Sequence, residues 1–245
     1  MKGADGCVLM LDFDGTLSPI AETPAKAHLS AKTKGLLAEC SDRTDVVVIS
    51  GRSLWDIKKK VNLNGLVYAG SHGMEWQIGP SIGNFRVPEK SKVMLRTIKQ
   101  KLEALLPEFP GMLLEDKSMT LSIHYRKVGT SQVKRLKNKV MGAVGSLVGK
   151  GLSLIRGKKV FELRPGVDWT KGHFAEFIVR HLELGRKKKL LPFYVGDDTT
   201  DEDVFRRLPN AVTIRVGKKV KSAANYYLEN QTQIDKFLEW MLENA

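Results

Sequence analysis

Four consecutive β-branched residues, Val46-Val47-Val48-Ile49, leave little choice of setting. Their side chains project alternately from the two faces of a strand, and all four are apolar. A strand of this kind must be covered on both faces, the condition met inside a parallel sheet flanked by helices. The segments around it follow the same rhythm. Val8–Leu11, Leu66–Ala69, Leu190–Val195 and Ala211–Val216 read as strands. Ser30–Cys40, Ser53–Val61, Gly172–Leu182, Asp201–Leu208 and Ile234–Leu242 read as helices. Strands alternating with helices predict an α/β fold with a doubly wound, Rossmann-like parallel sheet.

The rhythm changes in the middle. Val93–Leu106 and Ser131–Val148 read as helices, each followed by two strand-like runs: Met112–Leu114 with Met119–Tyr125, and Leu152–Ile155 with Val160–Leu163. A helix–strand–strand unit thus occurs twice. It predicts an α+β module, residues 88–164, inserted into a core formed by residues 1–87 and 165–245.

At 245 residues, 42% hydrophobic and 27% charged, the chain is long enough for a core and a module. Its net charge of +13 admits a nucleic acid, a membrane surface or an anionic small molecule as partner. The densest basic run, Arg186-Lys187-Lys188-Lys189, reads as a solvated loop, and no nucleic-acid recognition motif accompanies it. Cys7 and Cys40 make neither a disulfide framework nor a metal-binding spacing. No apolar run approaches the roughly 18 residues of a membrane span, and no leader pattern opens the chain. The expectation is a reduced, cytoplasmic monomer acting on a small molecule, with neither nucleic acid nor membrane as partner.

Ligands of open α/β sheets bind outside the carboxyl ends of the strands. Three such ends carry chemistry: Asp12-Phe13-Asp14-Gly15-Thr16, Ser50-Gly51-Arg52, and Gly196-Asp197-Asp198-Thr199-Thr200-Asp201-Glu202. If the first strand continues through Asp14, Asp12 and Asp14 share a side, which is costly unless a cation intervenes or one keeps its proton. Lys171 opens a helix within Asp168-Trp169-Thr170-Lys171-Gly172. Each piece alone has a structural reading: a turn, a loop, a helix cap, an acidic helix start. Together, at one sheet edge, they point to a catalytic site.

These four motifs resemble those of the haloacid dehalogenase (HAD) superfamily of phosphotransferases. The resemblance implies Mg²⁺ held by Asp12, the Asp14 main-chain carbonyl and Asp197. It implies Asp12 as nucleophile, forming an aspartyl-phosphate, and Asp14 as general acid and base. Ser50 and Lys171 would bind the phosphoryl oxygens, Thr16 would orient Asp14, and Asp198 and Asp201 would hold the metal's waters and the lysine. Carboxylic Asp14, where ATPases of this lineage carry threonine, favours hydrolysis or isomerisation of a phosphoester.

Asp12 and Ser50 lie 38 residues apart, Ser50 and Lys171 121 apart. The module therefore falls between the second and third motifs, as in the sugar-phosphatase branch with an α/β cap. Ile49–Arg52 (ISGR), Gly70–Gly73 (GSHG), Leu121–Arg126 (LSIHYR), Glu162–Pro165 (ELRP) and Gly196–Glu202 (GDDTTDE) together resemble the trehalose-6-phosphate phosphatase family. Trp169-Thr170-Lys171-Gly172 departs from that family's frequent Asn-Lys-Gly. The resemblance implies Glu115 and Lys117, in the turn between the first unit's strands, and Lys158 and Glu162 in the second, gripping a distal glucose. Cross-strand ion pairing is the other reading of those four residues. Arg52, His72, Gly73 and Arg126 are further candidate substrate contacts. The alternatives are a sucrose, mannosylglycerate or glucosylglycerate phosphatase, or a catalytically idle HAD-like regulatory protein.

Overall fold

The computed structural model describes residues 4–157, 159–218 and 221–244. The chain divides into two compact units, residues 1–85 with 169–245, and residues 86–168. The first unit begins with β1 (Gly6–Leu11), α1 (Ala31–Arg43), β2 (Asp45–Ile49), α2 (Leu54–Val61), β3 (Val67–Gly70), β4 (Glu75–Ile78) and β5 (Ser81–Asn84). The second unit contains α3 (Glu89–Glu103), β6 (Leu113–Asp116), β7 (Leu121–His124), α4 (Thr130–Val144), β8 (Leu152–Gly157) and β9 (Val160–Pro165). The chain then completes the first unit with α5 (Lys171–Arg186), β10 (Leu190–Gly196), α6 (Asp201–Arg207), β11 (Val212–Val216), β12 (Tyr226–Leu228) and α7 (Ile234–Asn244).

The large sheet has the order β12-β11-β10-β1-β2-β3-β4-β5. Pairings from β12 through β3 are parallel, whereas β4 and β5 are antiparallel. Alternation along the central strands sorts their side chains onto two faces. Leu9, Leu11, Val46, Val48, Phe193 and Val195 meet residues of α1, α2 and α7 such as Leu37, Ile57 and Leu238. Val8, Met10, Val47, Ile49 and Tyr194 meet Phe174, Ala175 and Ile178 of α5 and Val204 and Phe205 of α6. All four residues of the Val46–Ile49 run are buried. Removing such a side chain from water contributes about 1.5–3 kcal/mol. Ser30 and Ser53 accept hydrogen bonds from Thr33 and Asp56 main-chain N–H groups, capping α1 and α2.

The β4–β5 hairpin and β12 go beyond the sequence reading, and they make the sheet mixed at one edge. The hairpin turns through Gly79-Pro80, with Ile78 opposite Ser81. Its strands, EWQI and SIGN, are polar, short and only partly buried, so they lack the apolar run by which the interior strands announce themselves.

In the second unit the sheet order is β6-β7-β9-β8, antiparallel throughout. Ile98 and Leu102 of α3 and Leu136, Val140 and Val144 of α4 share a core with Leu121, Ile123, Leu152, Phe161 and Leu163 of the strands. Glu115 lies within β6 rather than in the turn expected for it, because the β6–β7 pairing extends to Asp116 opposite Leu121. Lys158 lies outside the described residues.

Candidate active site

β1 and β10 are parallel neighbours, and from them the chain winds to opposite sides of the sheet. Their carboxyl ends form the crevice where such sheets bind ligands. Asp12 follows β1 there and Asp197 follows β10. β1 ends at Leu11, with Asp12 N–H still donating to the Val195 carbonyl at 2.9 Å. A turn then reverses the chain: Ser18 N–H donates to Phe13 O at 2.8 Å and Gly15 N–H to Ser18 O at 2.7 Å. The strand thus does not continue through Asp14. Asp12 is buried, while the Asp14 side chain is 41% exposed. Gly15 has φ +88°, and a β-carbon there would collide with the Asp197 carboxylate. Glycine alone lets the first loop lie against the last.

Lys171 is the first residue of α5, and its side chain is 3% exposed. A cation at a helix N-terminus opposes the helix dipole, and burial disfavours its charge. Two carboxylates offset both costs, Asp12 at 2.7 Å and Asp201 at 2.8 Å. The lysine is held well above its usual pKa, because these anions outweigh the loss of solvent. Thr170 fixes the helix start. Its Oγ1 accepts from His173 N–H at 3.4 Å and donates to Asp203.

The carboxylates respond differently. Burial raises Asp12 well above the ordinary range, against the pull of Lys171 and with Asp201 and Asp197 adding repulsion. Asp197 is pushed up to about 7, by burial first and then by Asp201. Asp201 is lowered: burial acts upward, but the Lys171 charge and hydrogen bonds from Lys171, Tyr194 and Asp198 N–H prevail. Tyr194 donates its hydroxyl to Asp201 at 2.6 Å.

One oxygen from each of Asp12, Asp197 and Asp201 lies within 4.8 Å of the others. Among the described residues, Asp197 Oδ1 is buried without a hydrogen-bond partner. Three convergent carboxylates, one with an orphaned oxygen, fit a hard divalent cation that takes oxygen ligands. Arg215 braces this loop from behind, donating to the main-chain carbonyls of Asp197 and Asp198 and to Glu202 at 2.9 Å. Asp198 is exposed, and its carboxylate accepts from Thr199 N–H at 2.6 Å.

The loop after β2 is tied to the loop after β3. His72 N–H donates to Ser50 O at 2.9 Å and Ser71 N–H to Arg52 O at 2.6 Å. Ser71 and His72 both have positive φ, 49° and 59°, a conformation that costs energy in non-glycine residues. A β-carbon on Gly51 would lie 2.7 Å from the buried His72 ring. Ser50 is buried, its hydroxyl accepting from Arg52 N–H at 3.2 Å. Gly73 packs against Phe174, and its carbonyl accepts from Trp169 Nε1 at 2.7 Å. Among the described residues, Thr16 Oγ1 is buried without a hydrogen-bond partner. Arg52 is buried and grips Asp14 and Asp56 at 2.6 Å each.

In the second unit Lys117 pairs with Glu162 at 3.4 Å, and Ser122 donates to Glu162 at 3.3 Å. Glu115 meets His124 at 2.8 Å. Arg126 is exposed at the end of β7.

Sequence reasoning missed Tyr194, Arg215 and the Asp14–Arg52 grip. Tyr194 and Arg215 sit inside strands that read as core, and nothing in their spacing distinguishes them from packing residues. Arg52 stood in a quoted motif, but its partner was 38 residues away.

Comparison with known proteins gives one answer. A trehalose-phosphatase family model matches residues 10–236. The chain is 32% identical over 250 residues to trehalose-phosphate phosphatase B of Arabidopsis thaliana, covering 96% of this chain. It spans about 66% of that relative's length. The C-terminal domain of the Candida albicans trehalose-6-phosphate phosphatase shares its fold, with TM-score 0.84, 22% identity, and 100% and 95% of the two chains covered. A haloacid dehalogenase-like hydrolase from Bacteroides thetaiotaomicron also shares it, with TM-score 0.67, 14% identity, and 96% and 99% covered.

Proposed function

The chain belongs to the trehalose-phosphatase family, and on that premise we propose that it is a Mg²⁺-dependent phosphatase releasing trehalose and phosphate from trehalose 6-phosphate through an aspartyl-phosphate on Asp12. One observation supports this above the others: Asp12, Lys171 and Asp201 form a buried chain of contacts at 2.7 and 2.8 Å, with Asp197 alongside. A structural ion pair needs one carboxylate for one lysine. A third and fourth charge-bearing group, at a sheet switch point, suit a site that must receive a cation and a dianion.

Asp12, Asp197 and the Asp14 main-chain carbonyl would hold the metal, which supplies positive charge beside the transferring phosphoryl group. Asp12 attacks phosphorus, splitting one difficult displacement into two easier ones. Lys171 holds the Asp12 carboxylate for attack and stabilises charge on the phosphoryl oxygens, with the Ser50 hydroxyl donating alongside. Asp14 gives a proton to the departing sugar oxygen. It then takes one from the water that releases phosphate. Asp201, anchored by Tyr194, keeps Lys171 charged and placed, and Asp198 would order metal-bound waters.

Selection among sugars is assigned to the inserted unit, where Lys117, Glu162, Glu115 and Arg126, with Lys158, offer donors and acceptors for hydroxyls. Thr16, His72 and Gly73 would line the approach to the phosphoryl group. The two thiols, Cys7 and Cys40, are free and buried, in keeping with work in a reducing cytoplasm. No helix among the described residues is long and apolar enough to cross a membrane.

Phosphate release from a panel of sugar phosphates, with Mg²⁺ and with chelator, tests the reading. Metal-dependent release from trehalose 6-phosphate, far above that from glucose 6-phosphate, is expected. Preference for a sucrose or mannosylglycerate ester would move the substrate, and absence of release from every ester would leave the idle regulatory protein.

A further inference from the structure

Trp169 directly precedes the Thr170 cap and Lys171, yet its indole reaches away from them to the loop after β3. Nε1 donates to the Gly73 carbonyl at 2.7 Å, a hydrogen bond across 96 residues of chain. The rings are caged: Trp169 stacks on Phe85 with centroids 4.7 Å apart and on His173 at 5.7 Å, with Trp76 at 6.3 Å. A half-buried tryptophan needs an acceptor for its N–H, and the acceptor here belongs to an unusual turn. Ser71, His72 and Gly73 all have positive φ, 49°, 59° and 86°. Consecutive left-handed residues cost energy, and such backbone persists only where its surroundings over-determine it. Ser71 is tethered through its hydroxyl, which donates to Glu75 at 2.8 Å. Phe174, in the first turn of α5, lies so close that a β-carbon on Gly73 would be 2.4 Å from it.

That turn touches every residue of the loop after β2. Ser71 N–H donates to the Arg52 carbonyl at 2.6 Å and His72 N–H to the Ser50 carbonyl at 2.9 Å. The His72 ring lies against Gly51, in the space a β-carbon there would take. We propose that Trp169 is a positioning residue for phosphoryl binding: by holding the turn, its indole N–H fixes the Ser50 hydroxyl relative to Lys171. The inference rests on the phosphatase reading, in which Ser50 and Lys171 both meet the phosphoryl oxygens. These two donors are 121 residues apart in the chain, and donors stabilise developing charge best when their spacing is set before the ligand arrives. The Trp169–Gly73 hydrogen bond ties the segment that carries Lys171 to the turn that carries the Ser50 loop. Trp169 itself touches neither the sugar nor the phosphoryl group in this arrangement.

A double-mutant cycle of Trp169→Phe and Ser50→Ala, with trehalose 6-phosphate and p-nitrophenyl phosphate, tests the proposal. Phenylalanine keeps a ring in the cage and removes the N–H. Trp169→Phe should lower kcat/KM about fivefold or more, the order of one hydrogen bond to a charged ligand. The loss should be equal on the two substrates, which share only the phosphoryl group, and inhibition by inorganic phosphate should weaken by a similar factor. In the Ser50→Ala background Trp169→Phe should change kcat/KM by less than about twofold, because residues acting as a unit are not additive. A loss confined to trehalose 6-phosphate would assign Trp169 to the sugar, and losses that multiply in the double variant would leave it a packing role. Either result, or an unchanged kcat/KM, overturns the proposal and leaves the phosphatase reading standing. No phosphate release from either ester by the unaltered protein would overturn that reading, and the proposal with it. Thermal melts check folding. Should Trp169→Phe unfold, benzothienylalanine at position 169, which keeps both rings and lacks the N–H, goes through the same cycle with the same expectations.

Discussion

Asp12 is the residue on which the proposed chemistry turns, and its surroundings give the reason a neutral isostere is not expected to replace it. Burial disfavours its charge, and Lys171 at 2.7 Å opposes that effect without outweighing it. Asparagine would keep the shape, lose the nucleophile and leave the lysine with one anion fewer. Asp12→Asn is expected to lower kcat at least about 10³-fold, about 4 kcal/mol in the barrier. Phosphate release by a folded variant measures it, and near-normal turnover would remove the aspartyl-phosphate route. Much of this site is legible in the letters, because Asp12, Ser50, Lys171 and Asp197 each stand at the end of an apolar run or the start of a helix. By pattern Asp201 is only an acidic residue in a helix's first turn, and its hold on the lysine is what the family resemblance implies. The contact at 2.8 Å, and the part of Tyr194 as the donor behind it, come from across the fold.

At the scale of elements, α5 carries Lys171 into the site and Thr170 decides where that helix begins. The Thr170 hydroxyl caps His173 N–H and reaches Asp203 at the start of α6. Thr170→Ala removes a cap, which costs about 1 kcal/mol, and frees the first turn that places the lysine. Chemical denaturation should show that loss, and kcat should fall with it. Unchanged kcat beside lowered stability would mean that Asp12 and Asp201 suffice to place Lys171. Asp168 and Thr170 are both capping residue types, and the structure selects Thr170. The β4–β5 hairpin was illegible for a different reason. It lies at an edge, buries little, and has no alternation strong enough to separate it from a loop.

Two expectations belong to the whole molecule. The second unit, residues 86–168, carries 18 Lys and Arg against 7 Asp and Glu, so +11 of the chain's +13 resides there. A dianionic substrate should feel that field, and kcat/KM should fall with added salt as the Debye length shrinks from about 10 Å at 0.1 M. Stopped-flow or initial-rate data from low to high salt check this, and a salt-independent kcat/KM would remove steering. The acidic cluster sets a pH dependence of stability. Asp12 and Asp197 have folded pKa values above their unfolded ones, so the folded protein binds more protons between about pH 4 and 7. Stability of the metal-free protein should therefore fall as pH rises through that window. Asp201, lowered in the fold, contributes stability already complete above the unfolded carboxylate pKa. On the proposed reading bound Mg²⁺ would replace the protons, so its stabilisation should grow from about pH 5.5 to 7.5. Thermal melts in chelator and in Mg²⁺ read it, and a metal effect equal at all pH values would count against this cluster as the site.

The sequence by itself determined the α/β class, the inserted module and which strand ends carry the candidate site. Hydrophobic periodicity and burial on both faces are local properties that neighbouring residues carry in their own spacing. Only the tertiary structure decided what each polar group faces. Asp14 is two residues from Asp12 yet points to Arg52, because the turn at Phe13–Ser18 ends the strand at Leu11. Lys171 meets Asp12 across 159 residues and Asp201 across 30. Such partnerships follow from the winding of the sheet to either side of β1 and β10, and no window of sequence contains them.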